Sequence, residues 1–590
     1  MPSVLLVLTT LVVAYSSTFI YCFIRNLING RKTGIPLILL PIDANWIPWM
    51  IAGVALKQWF QDNLPRSIYM RLVTTIYGYE FAMKFAVYDE LAAPQGDRKS
   101  FILVTAGRLE FWTWDSQITN QVLSRPKDFN QFDIGNILLN KFGDNILTTD
   151  GDVWARHRKV VAGVINERIS KAVFSESVMQ AQGLLDQLQS AGDGSGVTET
   201  NKVFDSIKKI AIHVLSGAGM GSHMPWKDES SQKPAPGFTQ TYTQSITHVV
   251  SNLSGPILLP QWFLLNYPSW LPGYSIVKPL GIAITEFPIH TANLLEEERR
   301  RARREGGAAK SNILSQLLEA SDSSETQDPK GRQSIPLTDA DLRGDLFIFT
   351  AAGFDTTANT ISYALALLAR HPKWQDWLLE EIDQILPQDL NEELDYVNTF
   401  PKAIRTMAFM YEVLRLFTPL VHIAKQTRAP QTLQSGDRTY RLPTNTTVYI
   451  NSVCLHRDPD VWQDLNLPEG EVGAKADAMI FRPSRWINPP GSTLPLYSPP
   501  KGTYIPWSTG PRVCPGQKMA QVEFTAIFLT ILRRHRVDAV ALDGENREDV
   551  DRRLDERMEK SISLLTIQMQ DIYDVKSDED GLKLRISTRK

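Results

Sequence analysis

The stretch that most limits what this chain can fold into begins at Thr338. Thr338-Asp-Ala-Asp341 has the spacing of a capping box, in which two side chains satisfy each other's orphan N–H groups at a helix start. Apolar residues then continue at helical spacing to Leu368. His371-Pro372 stops the run, because the residue before a proline is pushed out of the helical region. Roughly 33 residues make a rod of about 50 Å. A rod that long and that apolar belongs through the middle of a large domain. Shorter helical patterns occupy Asp152 to Glu167, Val203 to Leu215, Lys373 to Leu386, Pro401 to Phe417 and Gln517 to Arg536. Phe101-Ile-Leu-Val-Thr105 and Leu109-Glu-Phe-Trp-Thr-Trp114, parted by Ala106-Gly107-Arg108, read as a β-hairpin, and a second extended region spans Arg438 to Asn451. The predicted fold class is mainly α with small β-sheets (α+β), and no interdomain linker interrupts Phe101 to Lys590.

The N-terminus sets the compartment. Val4 through Ile24 carries no charge and, at ~1.5 Å per residue, is long enough to cross a ~30 Å hydrocarbon core. Arg25, Arg31 and Lys32 follow at once, which places the remainder on the cytoplasmic side of a single-pass anchor. No small-x-small cleavage pattern follows, so a retained anchor is read rather than a removed signal peptide. Ile35 to Phe60 is apolar but broken by Pro36, Pro41, Asp43 and Pro48. It reads as interfacial, with Trp46, Trp49 and Trp59 suited to headgroups. The expected division is an anchor at 1–34, a membrane-proximal segment at 35–84 and the main domain at 85–590. Gly255 to Val277 is again apolar and proline-rich, fit either for a membrane or access path or for packed core. Leu294 to Arg304 reads as a solvated helix, and Glu319 to Pro336 as a polar surface loop. A net charge of −3 gives no reason to expect nucleic acid. Cys22, Cys454 and Cys514 are too few and too dispersed for a disulfide framework.

Several local patterns break the rules of their surroundings. Cys514, in Tyr504-Ile-Pro-Trp-Ser-Thr-Gly-Pro-Arg-Val-Cys-Pro-Gly516, sits at the end of an irregular loop just before a helix. There, unsatisfied N–H groups and the helix dipole favour thiolate, the form that binds metal, and Arg512 adds positive charge. Gly510 relieves the backbone, Pro515 suits a first helical position, and Gly516 lets something bulky approach. A lone cysteine is by itself more often an inert buried residue. Within the long helix, Ala352-Gly-Phe-Asp-Thr-Thr357 holds a glycine costing about 1 kcal/mol relative to alanine. That makes sense if Ala352 and Gly353 clear space for a flat ligand. Thr356 would turn its hydroxyl toward the gap, with a bond back to the Ala352 carbonyl, and Asp355 would add a protonatable group. A bend in a buried helix explains the same residues equally well. Glu412-Val-Leu-Arg415 is a pair among apolar neighbours, Phe481-Arg-Pro-Ser-Arg485-Trp486 is a second arginine in a proline-fixed loop, and Trp154-Ala-Arg-His-Arg158 is suited to gripping carboxylates.

Together and in this order these patterns resemble the cytochrome P450 family of haem-thiolate monooxygenases, membrane-anchored and similar to fungal secondary-metabolism members. The resemblance covers nearly the whole chain. It implies Cys514 as the axial thiolate of haem b, with Gly510, Gly516 and Trp507 shaping its loop. Trp507 stands where the family usually has phenylalanine. It implies Arg512, Trp154 and Arg158 as propionate-binding residues, with Lys425 where an arginine or histidine is common. Glu412, Arg415 and Arg485 become a buried structural triad, and Asp355 and Thr356 a proton-delivery pair. It further implies NADPH used indirectly through a separate NADPH–cytochrome P450 reductase, with cytochrome b5 as a second candidate donor, and an endoplasmic reticulum membrane location. The substrate would be lipophilic. Two alternatives remain at this level: a P450-like isomerase or dehydratase acting without O2, and a non-catalytic haem protein.

Overall fold

The capping box forms. The Thr338 hydroxyl accepts the Asp341 N–H at 3.1 Å, and the Asp341 carboxylate accepts the Thr338 N–H at 2.9 Å. The helix they start runs Asp339–Arg370, with His371 as its C-cap. The computed structural model describes residues 2–78, 80–131, 139–191, 196–226, 233–252, 259–304, 312–323, 336–387, 389–463, 474–563, 566–569 and 582–589. We label nine helices: α1 (Pro2–Arg31), α2 (Ile47–Asn63), α3 (Gly151–Val164), α4 (Glu167–Ala191), α5 (Val203–Val214), α6 (Tyr274–Arg304), α7 (Asp339–Arg370), α8 (Ile404–Leu416) and α9 (Gln517–Arg534). α7 is buried along nearly its whole length, and the main apolar core gathers around it from α4, α5, α8 and α9.

The hairpin also forms, as β2 (Ser100–Val104) and β3 (Leu109–Thr113), antiparallel. With β1 (Leu37–Leu39), β4 (Phe129–Gln131), β6 (His422–Thr427) and β9 (Thr447–Asn451) it makes a six-stranded sheet in the order β1-β2-β3-β9-β6-β4. The strands of the extended region are β8 (Arg438–Leu442), paired with β7 (Gln431–Ser435), and β9. Near the C-terminus β10 (His535–Ala539) pairs with β13 (Leu584–Thr588), which also pairs with β5 (Val197–Thr200). β11 (Ile562–Ser563) and β12 (Ile567–Gln568) make a short hairpin. Mainly helical with small sheets is the architecture observed.

The sheet changes the reading of 35–60. Ile38 is fully buried and β1 lies parallel to β2, so the start of that segment is sheet and not interface. Trp49 turns inward as well, its indole N–H donating to the Thr75 carbonyl at 3.1 Å. Trp46 and Trp59 stay exposed. A tryptophan that finds an interior acceptor for its N–H gains more from packing than from an interface. Among the described residues one helical stretch, Thr9–Arg31, is long and apolar enough to cross a membrane. Its last turns dock on the sheet, where the Asn26 side chain donates to the buried Thr105 carbonyl at 3.0 Å and Phe23 and Leu27 pack against the sheet core. The charged stretch Leu294 to Arg304 is the end of α6, as expected of a solvated helix, and Arg299 reaches Asp339 at the start of α7. The expected loop at Glu319 starts too early, since a helix continues to Ser323; 324–335 lie outside the described residues.

Candidate active site

Cys514 is delivered by a loop whose shape depends on one glycine. Gly510 has φ +72°, and a Cβ there would stand 2.6 Å from the Leu123 carbonyl oxygen, a main-chain atom that cannot step aside. The left-handed conformation alone disfavours another residue by roughly 1–2 kcal/mol. Gly510→Ala should therefore lower the melting temperature and loosen this loop. A melting curve matching the parent would show that the loop tolerates a side chain there. Past Gly510 the chain turns back, so the Cys514 N–H donates to the Trp507 carbonyl at 2.8 Å, and the Arg158 guanidinium donates to the Val513 carbonyl at 2.9 Å. Helix α9 begins at Gln517 with Gly516 as its N-cap, so Pro515 precedes the helix and does not occupy its first position. Gly516 has an ordinary φ of −81°, and its missing side chain keeps space clear near the sulfur, 3.8 Å from where a Cβ would sit. Burial pushes the Cys514 thiol up, while the Gly516 and Gln517 N–H groups and the Arg158 charge pull the other way. Yet Cys514 presents open surface. Crowding by protein together with open surface is how a residue lining an internal cavity looks. Trp507 is half-buried and meets Tyr411 edge-on, ring centroids 5.9 Å apart.

Beside the loop lies an excess of positive charge. Arg512 donates to the Asp150 carboxylate at 2.6 Å and to the Thr149 carbonyl at 2.7 Å, and stacks 4.6 Å over the Trp154 ring. Its Nε is buried without a partner. Arg428 lies 3.7 Å from the same Asp150. Lys425 is buried on β6, donates to Gln131, and is pushed down to about 7 by burial and by Arg512. Three cationic side chains thus gather about one carboxylate. Asp150 and Gln131 carried no signal in the sequence. Their roles arise from pairings across the fold.

The long helix supplies the facing wall. Along α7, Phe349, Ala352, Gly353 and Thr356 retain open surface while the residues between them are buried, and their i, i+3, i+4, i+7 spacing puts them on one face. Ala352 is exposed, which inside a core helix again marks open space beside it. The Thr356 hydroxyl donates to the Ala352 carbonyl at 2.7 Å, as its spacing predicts. Gly353 differs from expectation, because a Cβ there would meet the Leu215 side chain at 3.3 Å. Its missing side chain admits Leu215, and Ala352 is what fronts the opening. Asp355, next along the chain from the exposed face, is buried. It accepts a hydrogen bond from Thr566, and burial raises it above the usual carboxylate range despite that bond and the nearby Lys208. Helix α3 ties wall and loop together. His157 pairs with Asp345 of α7 at 2.7 Å, both fully buried, and its neighbour Arg158 holds the Val513 carbonyl.

Underneath is the triad. Glu412 and Arg415 are wholly buried and paired at 2.8 Å, and Arg485 reaches Glu412 at 3.0 Å. The network extends further than the three residues singled out from the sequence. Asp477 takes Arg485 at 2.7 Å, the Trp486 indole donates to Glu412 at 2.9 Å, and Arg415 donates to the carbonyls of His456, Ala478 and Ile480. Burial works to raise the Glu412 carboxyl, but Arg415 and Arg485 outweigh it and hold it below its usual value.

Do these residues fit haem? Among the described residues no group of three or more metal-ligating side chains exists, and Cys514 stands alone as a thiol at its site. An open thiol with N–H groups aimed at it, a cationic cluster short of anions with one orphaned guanidinium N–H, and an open small-residue wall suit a flat, carboxylate-bearing metal macrocycle. The residues fit.

Comparison with known proteins agrees. The family model described as Cytochrome P450 matches residues 113–554. The phomenoic acid biosynthesis cluster cytochrome P450 monooxygenase of Leptosphaeria maculans is 38% identical over 584 residues, covering 96% of each chain. Cytochrome P450 monooxygenase 124 of Postia placenta is 27% identical, over 72% of this chain and 73% of its own length. The solved cytochrome P450DA heme domain shares the fold with a TM-score of 0.61 at 18% identity, over 86% of this chain and 92% of that one. The chain belongs to the cytochrome P450 family and is a monooxygenase of that family.

Proposed function

We propose that this protein hydroxylates or otherwise oxidises a lipophilic small molecule with electrons from NADPH, passed on by a separate membrane-bound reductase. The reading is carried by the open face of α7, where Ala352, Gly353 and Thr356 keep open surface on an otherwise buried helix. Cys514 would ligate the iron of haem, and Arg512, Arg158, Trp154 and Lys425 would hold the propionates. When bound, haem with a thiolate ligand supplies oxygen activation, the thiolate pushing electron density that favours O–O cleavage.

The chain's own part is to bind, orient and deliver protons. Lys425 regains full positive charge once a carboxylate neutralises its surroundings, so cofactor binding and the cationic cluster stabilise each other. Ala352 leaves room at the reacting side. The Thr356 hydroxyl, held on the Ala352 carbonyl, can turn outward and donate its proton at Oγ1. Asp355, raised by burial, holds a proton more readily than an exposed carboxyl would, behind the wall and away from bulk water.

Residues 1–34 would anchor the chain in the endoplasmic reticulum membrane, with the exposed Trp46 and Trp59 of the 35–84 segment toward the bilayer and the catalytic body, 85–590, on the cytoplasmic side. Trp262, Trp270 and Ile276 are well exposed around the start of α6. They support a lipid-facing surface and a substrate that partitions into the bilayer. In the apolar stretch singled out there, 253–258 lie outside the described residues. The substrate proposed is a secondary metabolite of the terpenoid, polyketide or alkaloid classes; the Leptosphaeria maculans relative, named for a phomenoic acid biosynthesis cluster, supports a biosynthetic role.

Thr356→Ala tests the reading. The variant should incorporate haem and accept electrons from a reductase, but divert most of the NADPH it consumes to hydrogen peroxide. Product formation should fall by about 10²-fold, the scale of a lost proton-transfer group. Product and peroxide in the parent's proportions would remove Thr356 from the mechanism. NADPH-independent turnover would overturn the monooxygenation proposed here.

A further inference from the structure

The mechanism leaves unexplained how a carboxyl buried on α7 is aimed and tuned. Asp355 has two polar neighbours, one from a distant part of the chain and one on its own helix. Thr566, which precedes β12, donates its hydroxyl to Asp355. Asn359, one turn along α7, donates one amide N–H to the Thr566 oxygen at 2.8 Å and to the Asp355 carbonyl at 2.9 Å. All three side chains are buried. The order of donors matters. Because the Asn359 amide already points a hydrogen at the Thr566 oxygen, the single hydroxyl proton of Thr566 is left for Asp355, and the chain Asn359 to Thr566 to Asp355 polarises in one direction.

The element carrying Thr566 is itself pinned. The Ser563 N–H donates to the Gly78 carbonyl at 2.9 Å and the Ile567 N–H to the Pro419 carbonyl at 2.9 Å, so the hairpin is tied on both sides. The other charge facing Asp355 is Lys208 of α5, whose ammonium sits 4.1 Å from the Phe204 ring and is influenced in turn by Asp205.

We infer that Thr566 is a positioning residue of the monooxygenase: it holds the Asp355 carboxyl in place and sets how readily that group gives up its proton toward Thr356. The inference rests on the reading of Asp355 as proton donor. Three consequences follow from the geometry. Thr566 stabilises the carboxylate, so losing its hydroxyl makes Asp355 hold its proton more tightly. Serine keeps the hydroxyl, and valine keeps the shape without it. Asn359, which also favours the carboxylate, stays in place in both variants.

The test uses the full-length, haem-loaded chain in detergent or lipid with a reductase. Infrared spectroscopy of the protonated carboxyl against pH, with the Asp355 band identified by its loss in Asp355→Asn, reads the group directly. Thr566→Val should move that titration upward by about one pH unit, the roughly tenfold tighter proton binding expected from losing a bond to a charged group. The same variant should raise the peroxide share of NADPH consumed several-fold, and Thr566→Ser should restore both readings. If Thr566→Val does not fold, Thr566→Ala takes its place. A titration left unmoved by both variants overturns the role of Thr566. A moved titration with Asp355→Asn coupled as well as the parent overturns instead the proton-donor reading beneath it.

Discussion

Cys514→Ser should fold and yet be inactive. The main chain of this residue is held through bonds any residue can make, its N–H to the Trp507 carbonyl and the neighbouring Val513 carbonyl to Arg158. Nothing in the loop geometry depends on sulfur, since the shape comes from Gly510 and from the cap at Gly516. Stability should stay within about 0.5 kcal/mol of the parent. Chemistry should not survive. A hydroxyl at this position stays protonated at neutral pH and pushes no electron density, so turnover should fall by more than the roughly 10–100-fold that follows loss of an outer metal-site partner. The measurement is the absorption spectrum of the reduced carbon monoxide complex beside product formation. An unchanged spectrum in the serine variant would sink the assignment of Cys514 as ligand.

Glu412→Ala should have a comparably large effect through folding. The alanine leaves two guanidinium groups, the Trp486 indole N–H and the Arg482 main-chain N–H without the acceptor they share, in a fully buried site. Removing one partner of a buried pair costs about 3–5 kcal/mol, against a total stability on the order of 5–15 kcal/mol. The effect reaches 474–486, because Arg415 donates to the Ala478 and Ile480 carbonyls while it is held by Glu412. Little folded protein should accumulate. Glu412→Gln keeps the shape and part of the bonding, so it should fold with a lower melting temperature. The parent's pH dependence gives an independent reading. The folded Glu412 carboxyl lies below its unfolded value, so its contribution is complete above the unfolded value and drains away as pH falls through the folded one. The glutamine variant should lose that part of the acid sensitivity. An alanine variant with the parent's melting temperature would show that the triad is dispensable.

What was legible in advance had short-range causes. The capping box at Thr338, the bond from Thr356 to Ala352 and the hairpin at 100–113 each depend on residues a few positions apart, and each formed. The site residues in the cysteine loop and in α3 could be picked out because they broke local rules, and the structure brings Arg512, Trp154 and Lys425 to one place. Where expectation failed, a tertiary contact had intervened. Trp49 found the Thr75 carbonyl, Gly353 received Leu215, and the chain after Leu37 found an open edge of the sheet.

Sequence by itself therefore determined the long central helix, the apolar N-terminal helix, the thiol before a helix and the pairing of Glu412 with Arg415, since helical periodicity and capping act within one or two turns. Only the tertiary structure decided that Asp477 and Trp486 complete the buried network, that Lys425 is a desolvated amine beside Arg512, and that Thr566 reaches Asp355 across 211 positions of sequence. Those partners are ordinary polar residues in ordinary surroundings. What gives them a role is the removal of water around them, and that happens only when distant segments pack.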